Sequence, residues 1–190
     1  LGVVTTYHTA RAQGSKALTI AYNVNLPSWD PTVGLSAVNP TIQSIYKSVF
    51  DQYIDQNPDL SFKPGLLTKW GWNDDKTKIS MTVRDGAFWH DGSPVTAEDV
   101  AWSLERAGDP KTGSPIQFVW GKIGNFKISG MTVTADVKEF EPTIFKWMAF
   151  LTGYVLPKNA YTKMGPEGFE KKPIGSGPYM VEEFERNAFV

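Results

Sequence analysis

Residues 83–100 read VRDGAFWHDGSPVTAEDV, and this run decides the fold. It holds two Asp-Gly pairs, Asp85-Gly86 and Asp91-Gly92. Each favours a tight turn, because glycine accepts a positive φ without steric cost. Pro94 stiffens the second turn. Thr96 stands three residues before Asp99, a variant of the capping box in which Glu or Gln is usual, and Val95 is placed to staple onto Val100. Ala97, Val100, Ala101, Leu104 and Ala107 recur at helical spacing as a buried stripe. Gly108-Asp109-Pro110 ends that helix.

Working upstream, Ile79, Met81 and Val83 alternate with Ser80, Thr82 and Arg84, the period of a strand. Asn73-Asp74-Asp75-Lys76 is a turn, and Trp70 and Trp72 flank Gly71 in the other hairpin arm. Asn57-Pro58-Asp59 is a further turn, with a short strand expected near 52–54. Asn39 caps a helix that has Pro40 at its first position and Ile42, Ile45, Tyr46, Val49 and Phe50 on one face. Residues 25–39 read as a loop, and Leu18, Ile20 and Tyr22 as a strand before it.

Downstream, Gly113-Ser114-Pro115 is a loop and Met131, Val133, Ala135 and Val137 alternate as a strand. Pro142 opens a helix whose Ile144, Phe145, Trp147, Met148 and Leu151 share a face. Tyr154-Val155-Leu156 reads as a short strand ended by Pro157, residues 159–164 as a short helix, and Gly175–Gly177 as a turn leading into a last strand from Pro178. Strands and helices mix without strict alternation, which predicts a mixed α/β sheet of α+β character.

The 190 residues carry 41% apolar and 21% charged side chains, an ordinary globular balance. A net charge of -1 argues against a polyanion such as nucleic acid as partner. Zero cysteines exclude disulfides and thiolate metal sites. No apolar run approaches the roughly 20 residues of a membrane span. Ala10-Arg11-Ala12 has the small-x-small form of a signal-peptidase site, so residues 1–12 are expected to be a signal-peptide remnant.

Nothing in the sequence assembles a catalytic site. Outside the leader, His90 is the only histidine, and it stands beside a turn aspartate. Asp74-Asp75 and Glu182-Glu183 are adjacent carboxylates, which on a strand point to opposite faces and make poor metal pairs. Gly175-Ser176-Gly177 is too short for a phosphate loop. No catalytic residue, metal site or cofactor is expected, and the chain is read as not an enzyme.

Five segments, in order and spacing, resemble the peptide/nickel/oligosaccharide class of extracellular solute-binding proteins, family 5. They are Trp29-Asp30-Pro31; residues 64–70 (PGLLTKW); residues 83–100; Ser103-Leu104-Glu105-Arg106 with Asp109-Pro110; and Pro173-Ile174-Gly175-Ser176-Gly177-Pro178-Tyr179. Departures are small: Trp29 where Leu is common, and Ser176 where Thr is common. The resemblance implies a periplasmic-binding-protein-like class II fold of the large three-lobed type, here without its third lobe. Residues 13–50 would begin lobe I, 51–172 form lobe II and 173–190 return to lobe I as a strand. It implies a solute-binding component of an ABC importer, periplasmic or extracellular, taking a peptide or related small solute and docking on a membrane permease, with a monomer expected. A carbohydrate-binding module or glycan-processing domain using the abundant aromatics is the alternative. Ligand contacts implied by position are Asn25, Leu35 and Ser36 in the loop after the first strand, and Phe118 and Trp120 after Ser114-Pro115. The motif residues themselves read as scaffold, with His90 bonded inside its own corner. A chain lacking the third lobe is expected to bind weakly and to self-associate.

Overall fold

The computed structural model describes residues 20–185, and of Leu35 and Ser36 the backbone only. Residues 1–12, the expected signal-peptide remnant, lie outside the described residues, as do Leu18 and Thr19.

The centre is a four-stranded antiparallel sheet made of Leu67–Trp72 (β3), Lys78–Val83 (β4), Ile123–Ser129 (β5) and Thr132–Val137 (β6), in the order β3-β4-β6-β5. The alternation in β4 does what its period demands. Ile79, Met81 and Val83 are all buried, and Ile79 faces Ala135 and Met81 faces Val133 across the ladder. The Asp75 carboxylate fixes the hairpin turn by accepting from Thr77 N and Oγ1 at 3.1 and 2.6 Å. β5 has no counterpart in the sequence reading. It buries only Ile123 and Gly124, breaks register between Gly124 and Lys127, and carries Asn125 at φ 51, so no alternation is left to read.

The helix Ala97–Gly108 (α2) lies on the sheet and buries all five residues of its expected stripe. Its capping box forms. Thr96 Oγ1 accepts from Asp99 N at 3.2 Å while Asp99 Oδ2 accepts from Thr96 N at 2.9 Å. Thr96→Ala removes the acceptor for that amide and is expected to lower the unfolding free energy by about 1 kcal/mol, read from urea midpoints.

A small hairpin, Ile54–Gln56 (β1) with Phe62–Pro64 (β2), precedes the sheet. The short strand expected near 52–54 starts at Ile54 instead, and Gln52 makes one bridge to Tyr154. That bridge is all that forms of the expected strand Tyr154–Leu156. The Leu156 N–H is taken by Ser103 Oγ at 3.0 Å, not by a neighbouring strand.

Three more helices follow: Gln117–Trp120 (α3), Ile144–Met148 (α4) and Lys158–Lys171 (α5). The last is longer than expected because it is two helical pieces joined at Gly165 (φ 69), with Pro166 opening the second. Before α4, Glu141 accepts from Thr143 Oγ1 at 2.5 Å and from Lys122 Nζ at 2.9 Å. The Thr143 hydroxyl and then the Lys122 ammonium hold its carboxyl down to about 2. A depressed acid stabilises the fold above its unfolded value near 4.5, and the effect is lost as pH falls toward 2. Glu141→Gln is expected to flatten that part of the acid unfolding curve, as followed by circular dichroism.

Pro40–Val49 (α1) is capped as read, with Asn39 Oδ1 accepting from Thr41 N at 2.9 Å. Among the described residues there are two cores. One joins the sheet to α2, α3 and α4. The other joins Leu26, Trp29, Ile42, Tyr46, Val49 and Phe50 to Tyr154, Leu156, Tyr161 and Phe169, so it is built from both sides of the expected boundary at residue 50. Residues 20–22 and 178–184 carry no strand. Instead the N–H groups of Gly177 and Tyr179 donate to Val49 O and Ser48 O at 2.9 and 3.0 Å, which satisfies carbonyls at the end of α1.

Candidate ligand-binding face and its scaffold

The loop before α1 has a buried base. Trp29, Asp30, Pro31 and Thr32 are buried, and Asp30 is 3% exposed. Its carboxylate faces Arg106 of α2. Arg106 Nη2 donates to Asp30 Oδ2 at 2.6 Å, Nη1 donates to Thr32 Oγ1 at 2.7 Å, and the guanidinium lies 4.6 Å from the Tyr161 ring centre. The Tyr161 hydroxyl donates to the same Asp30 oxygen at 2.8 Å. Burial and then the Asp30 carboxylate push that phenol above its ordinary value, so it stays a donor. Thus the first and fourth motif segments meet as one charged anchor.

Beyond the anchor the chain crosses to the loop after α2. Gly34 N donates to Gly113 O at 3.3 Å, and a single 3-10 turn, Leu35–Val38, follows. Gln43 Nε2 holds that turn by donating to Ala37 O at 3.0 Å. Leu35 and Ser36 therefore sit on a turn fixed on both sides, beside the Gly113-Ser114-Pro115 loop that leads to Phe118. Phe118 is 60% exposed and meets Trp147 edge-on at 6.4 Å. Trp120 is 1% exposed, donates from its indole to Thr152 Oγ1 at 3.2 Å and packs on Tyr53, so in this chain it is a core side chain. Two residues apart on a helical turn, the pair faces opposite ways. Asn25 is exposed, upstream of the anchor.

Next to this face Pro40, Gln43, Ser44, Lys47 and Phe150 line an open recess of about 220 Å³. The sequence reading missed Phe150. It stands outside the apolar stripe of α4 and is 49% exposed, so an aromatic out of phase with its stripe was the available signal. Among the described residues, no group of three or more His, Asp or Glu stands close enough to hold a metal ion. No helix among them is long and apolar enough to cross a membrane.

His90 corrects one expectation. It does not bond within its own corner. Asp91 does that, accepting from Ser93 N and Oγ at 2.9 and 2.6 Å, with Gly92 at φ 84. His90 instead reaches the Gly175-Ser176-Gly177 turn. Its N–H donates to Gly175 O at 2.8 Å, its Nδ1 accepts from Gly175 N at 3.2 Å, and its Nε2 lies 2.9 Å from Gly177 O. With Nδ1 accepting, Nε2 is placed to donate to Gly177 O. The third and fifth motif segments are thereby tied together. Nearby, burial raises the Asp51 carboxyl above its ordinary range, against Arg84 at 3.5 Å. His90→Ala strips partners from the Gly175 amide and the Gly177 carbonyl. It is expected to cost about 2 kcal/mol in thermal or urea unfolding and to leave solute affinity of the protein carrying this chain unchanged.

The scaffold has relatives. Residues 61–190 match the family model for bacterial extracellular solute-binding proteins, family 5 Middle. The chain is 43% identical over 95 residues to the periplasmic murein peptide-binding protein MppA of Escherichia coli (strain K12), covering 49% of this chain and 16% of that protein. It is 26% identical over 196 residues to the dipeptide-binding protein DppE of Bacillus subtilis (strain 168), covering 94% of this chain and 35% of that one. The solved structure of the Escherichia coli murein tripeptide binding protein MppA superposes with a TM-score of 0.69 at 27% identity, over 83% of this chain and 34% of its own. The chain thus spans about a third or less of the relatives it matches. The mixed α/β architecture is that of the periplasmic binding proteins of class II, and family members are binding proteins rather than enzymes. With its five motif segments bonded into one scaffold and the family model matched across residues 61–190, the chain belongs to the bacterial extracellular solute-binding proteins of family 5.

Proposed function

We infer that the chain is part of an extracytoplasmic solute-binding protein that takes up a peptide or related small solute and delivers it to the permease of an ABC importer, without catalysis and without a cofactor. The observation that carries this is the match of residues 61–190 to the family, joined by 43% identity over 95 residues to a murein peptide-binding protein. Residues 13–50 begin lobe I, 51–172 form lobe II and 173–190 return to lobe I. Asn25, Leu35, Ser36 and Phe118 form part of the solute-facing wall, and Trp120 lies behind it in the core, against Tyr53 and Thr152. The exposure of Asn25 and Phe118, and the anchored turn at 35–38, support this placement. Solute closure shifts the protein toward the form that docks on the permease. The carbohydrate-module reading has no support from MppA and DppE, which are named for peptides.

Native mass spectrometry of the protein carrying this chain, purified without refolding, tests the reading. Bound masses in the peptide range, displaced by trialanine in titration calorimetry, are expected. A protein that retains oligosaccharides and ignores peptides would overturn it.

A further inference from the structure

We propose that Glu170, at the end of α5, is the positioning residue for the solute-facing turn at 34–38. The proposal rests on the reading of that turn as part of the solute wall. Residues 28–32 form no regular structure, so their backbone N–H groups must find partners elsewhere. Thr32 N finds Asp30 Oδ1 at 3.0 Å and Asp30 N finds Ser28 Oγ at 2.9 Å, whereas Trp29 N is met by Glu170 from about 140 residues away. Both of its oxygens accept from Trp29 N, at 3.0 and 2.9 Å, one accepts from Asp30 N at 3.4 Å, and the Ser28 hydroxyl makes a short hydrogen bond to it. Among the described residues no cation pairs with this carboxylate. Its charge is met by backbone dipoles and one hydroxyl, the way a loop holds an anion.

The arrangement has a direction. Tyr46 pins Ser28 O from α1 at 2.6 Å, and Arg106 pins Asp30 and Thr32 from α2. Glu170 completes the set from a third helix, so residues 28–32 are held from three sides. Gly34 then makes one long contact of 3.3 Å to Gly113. Gln43 holds the far end of 34–38 at Ala37 O, 3.0 Å, so the base at 28–32 sets the near end, where the chain enters the turn. A glutamine at 170 keeps the length of the side chain but replaces one accepting oxygen with an N–H₂ that faces the Trp29 N–H. The arm on Trp29 and Asp30 loosens while Arg106 and Tyr46 keep the fold.

Hydrogen exchange of the protein carrying this chain, read by mass spectrometry, decides the matter. Glu170→Gln is expected to speed amide exchange at 34–38 by about tenfold or more while amides of β4 and β6 keep their protection. Trialanine affinity is expected to fall by about tenfold, the size of one charge-assisted hydrogen bond. Unchanged exchange at 34–38, or a uniform rise that includes the sheet, would overturn the proposal. Ser28→Ala, which removes the hydroxyl that bonds Glu170 and with it the acceptor of the Asp30 amide while leaving Glu170 on Trp29 N, gives the same reading if Glu170→Gln does not fold. A wild-type protein that binds no peptide would count against the solute reading, and the exchange result would still decide the clamp.

Discussion

Arg106→Met is expected to destabilise the chain by about 3–5 kcal/mol, the usual cost of leaving one member of a buried ion pair alone. Asp30 is 3% exposed, and its partner's side chain is 14% exposed. Water therefore reaches the anchor too poorly to solvate an abandoned carboxylate. Thr32 and Tyr161 would still donate to Asp30, at 3.0 Å from the Thr32 amide and 2.8 Å from the phenol, which keeps the cost below that of a bare charge. Arg106→Lys is expected to recover only part of the loss. A lysine cannot reach Thr32 and Asp30 together in the forked geometry that Nη1 and Nη2 provide. The double variant Asp30→Asn with Arg106→Met should be less damaging than the sum of its singles, because the charge left unpaired is also gone. Urea denaturation of the four proteins measures this. A loss under about 1 kcal/mol for Arg106→Met would class the pair with exposed ion pairs and dissolve the anchor.

How much of this was readable beforehand depended on the range of each interaction. α1 and α2 were legible because their signals are local: Asn39 with Pro40, Thr96 with Asp99, and stripes that repeat within a few residues. β4 was legible because its alternation is uninterrupted. β5 was not, because a bulge and an exposed edge erase its period. Tyr154–Leu156 looked like a strand by composition, but Ser103, 53 residues away, takes the amide a ladder would need. α5 was cut short because Gly165-Pro166 reads as a stop, whereas the chain kinks there and continues. On the candidate face, spacing shows that Phe118 and Trp120 point apart, but only the core decides which one is outside. The His90 run reads as scaffold, but the partners of His90 are out of reach of any local signal, since Gly175 and Gly177 lie 85 and 87 residues on. Glu170 carried no local signal at all.

The third and fifth motif segments meet where the chain returns past α1, and Gly175→Ala is expected to disrupt that meeting by more than about 4 kcal/mol. A Cβ built on Gly175 would stand 1.9 Å from Val49 O and 2.8 Å from Val49 C. The obstacle is helix backbone, not the end of a flexible side chain, so relief requires moving α1 or the turn itself. Overpacking alone costs typically about 1–3 kcal/mol. Moving the turn also weakens the Gly177 N–H bond to Val49 O, the Tyr179 N–H bond to Ser48 O and the His90 contacts, each worth about 1 kcal/mol. Gly177→Ala should follow the same course more mildly, with its nearest atom at 2.7 Å. Gly71→Ala, in β3 with open space around its Cβ, is the control and should change stability by no more than about 0.5 kcal/mol. If Gly175→Ala unfolded at nearly the wild-type urea concentration, residues 175–179 could not be docked on the end of α1. The bonds that tie His90 to this turn would then have to be abandoned as well.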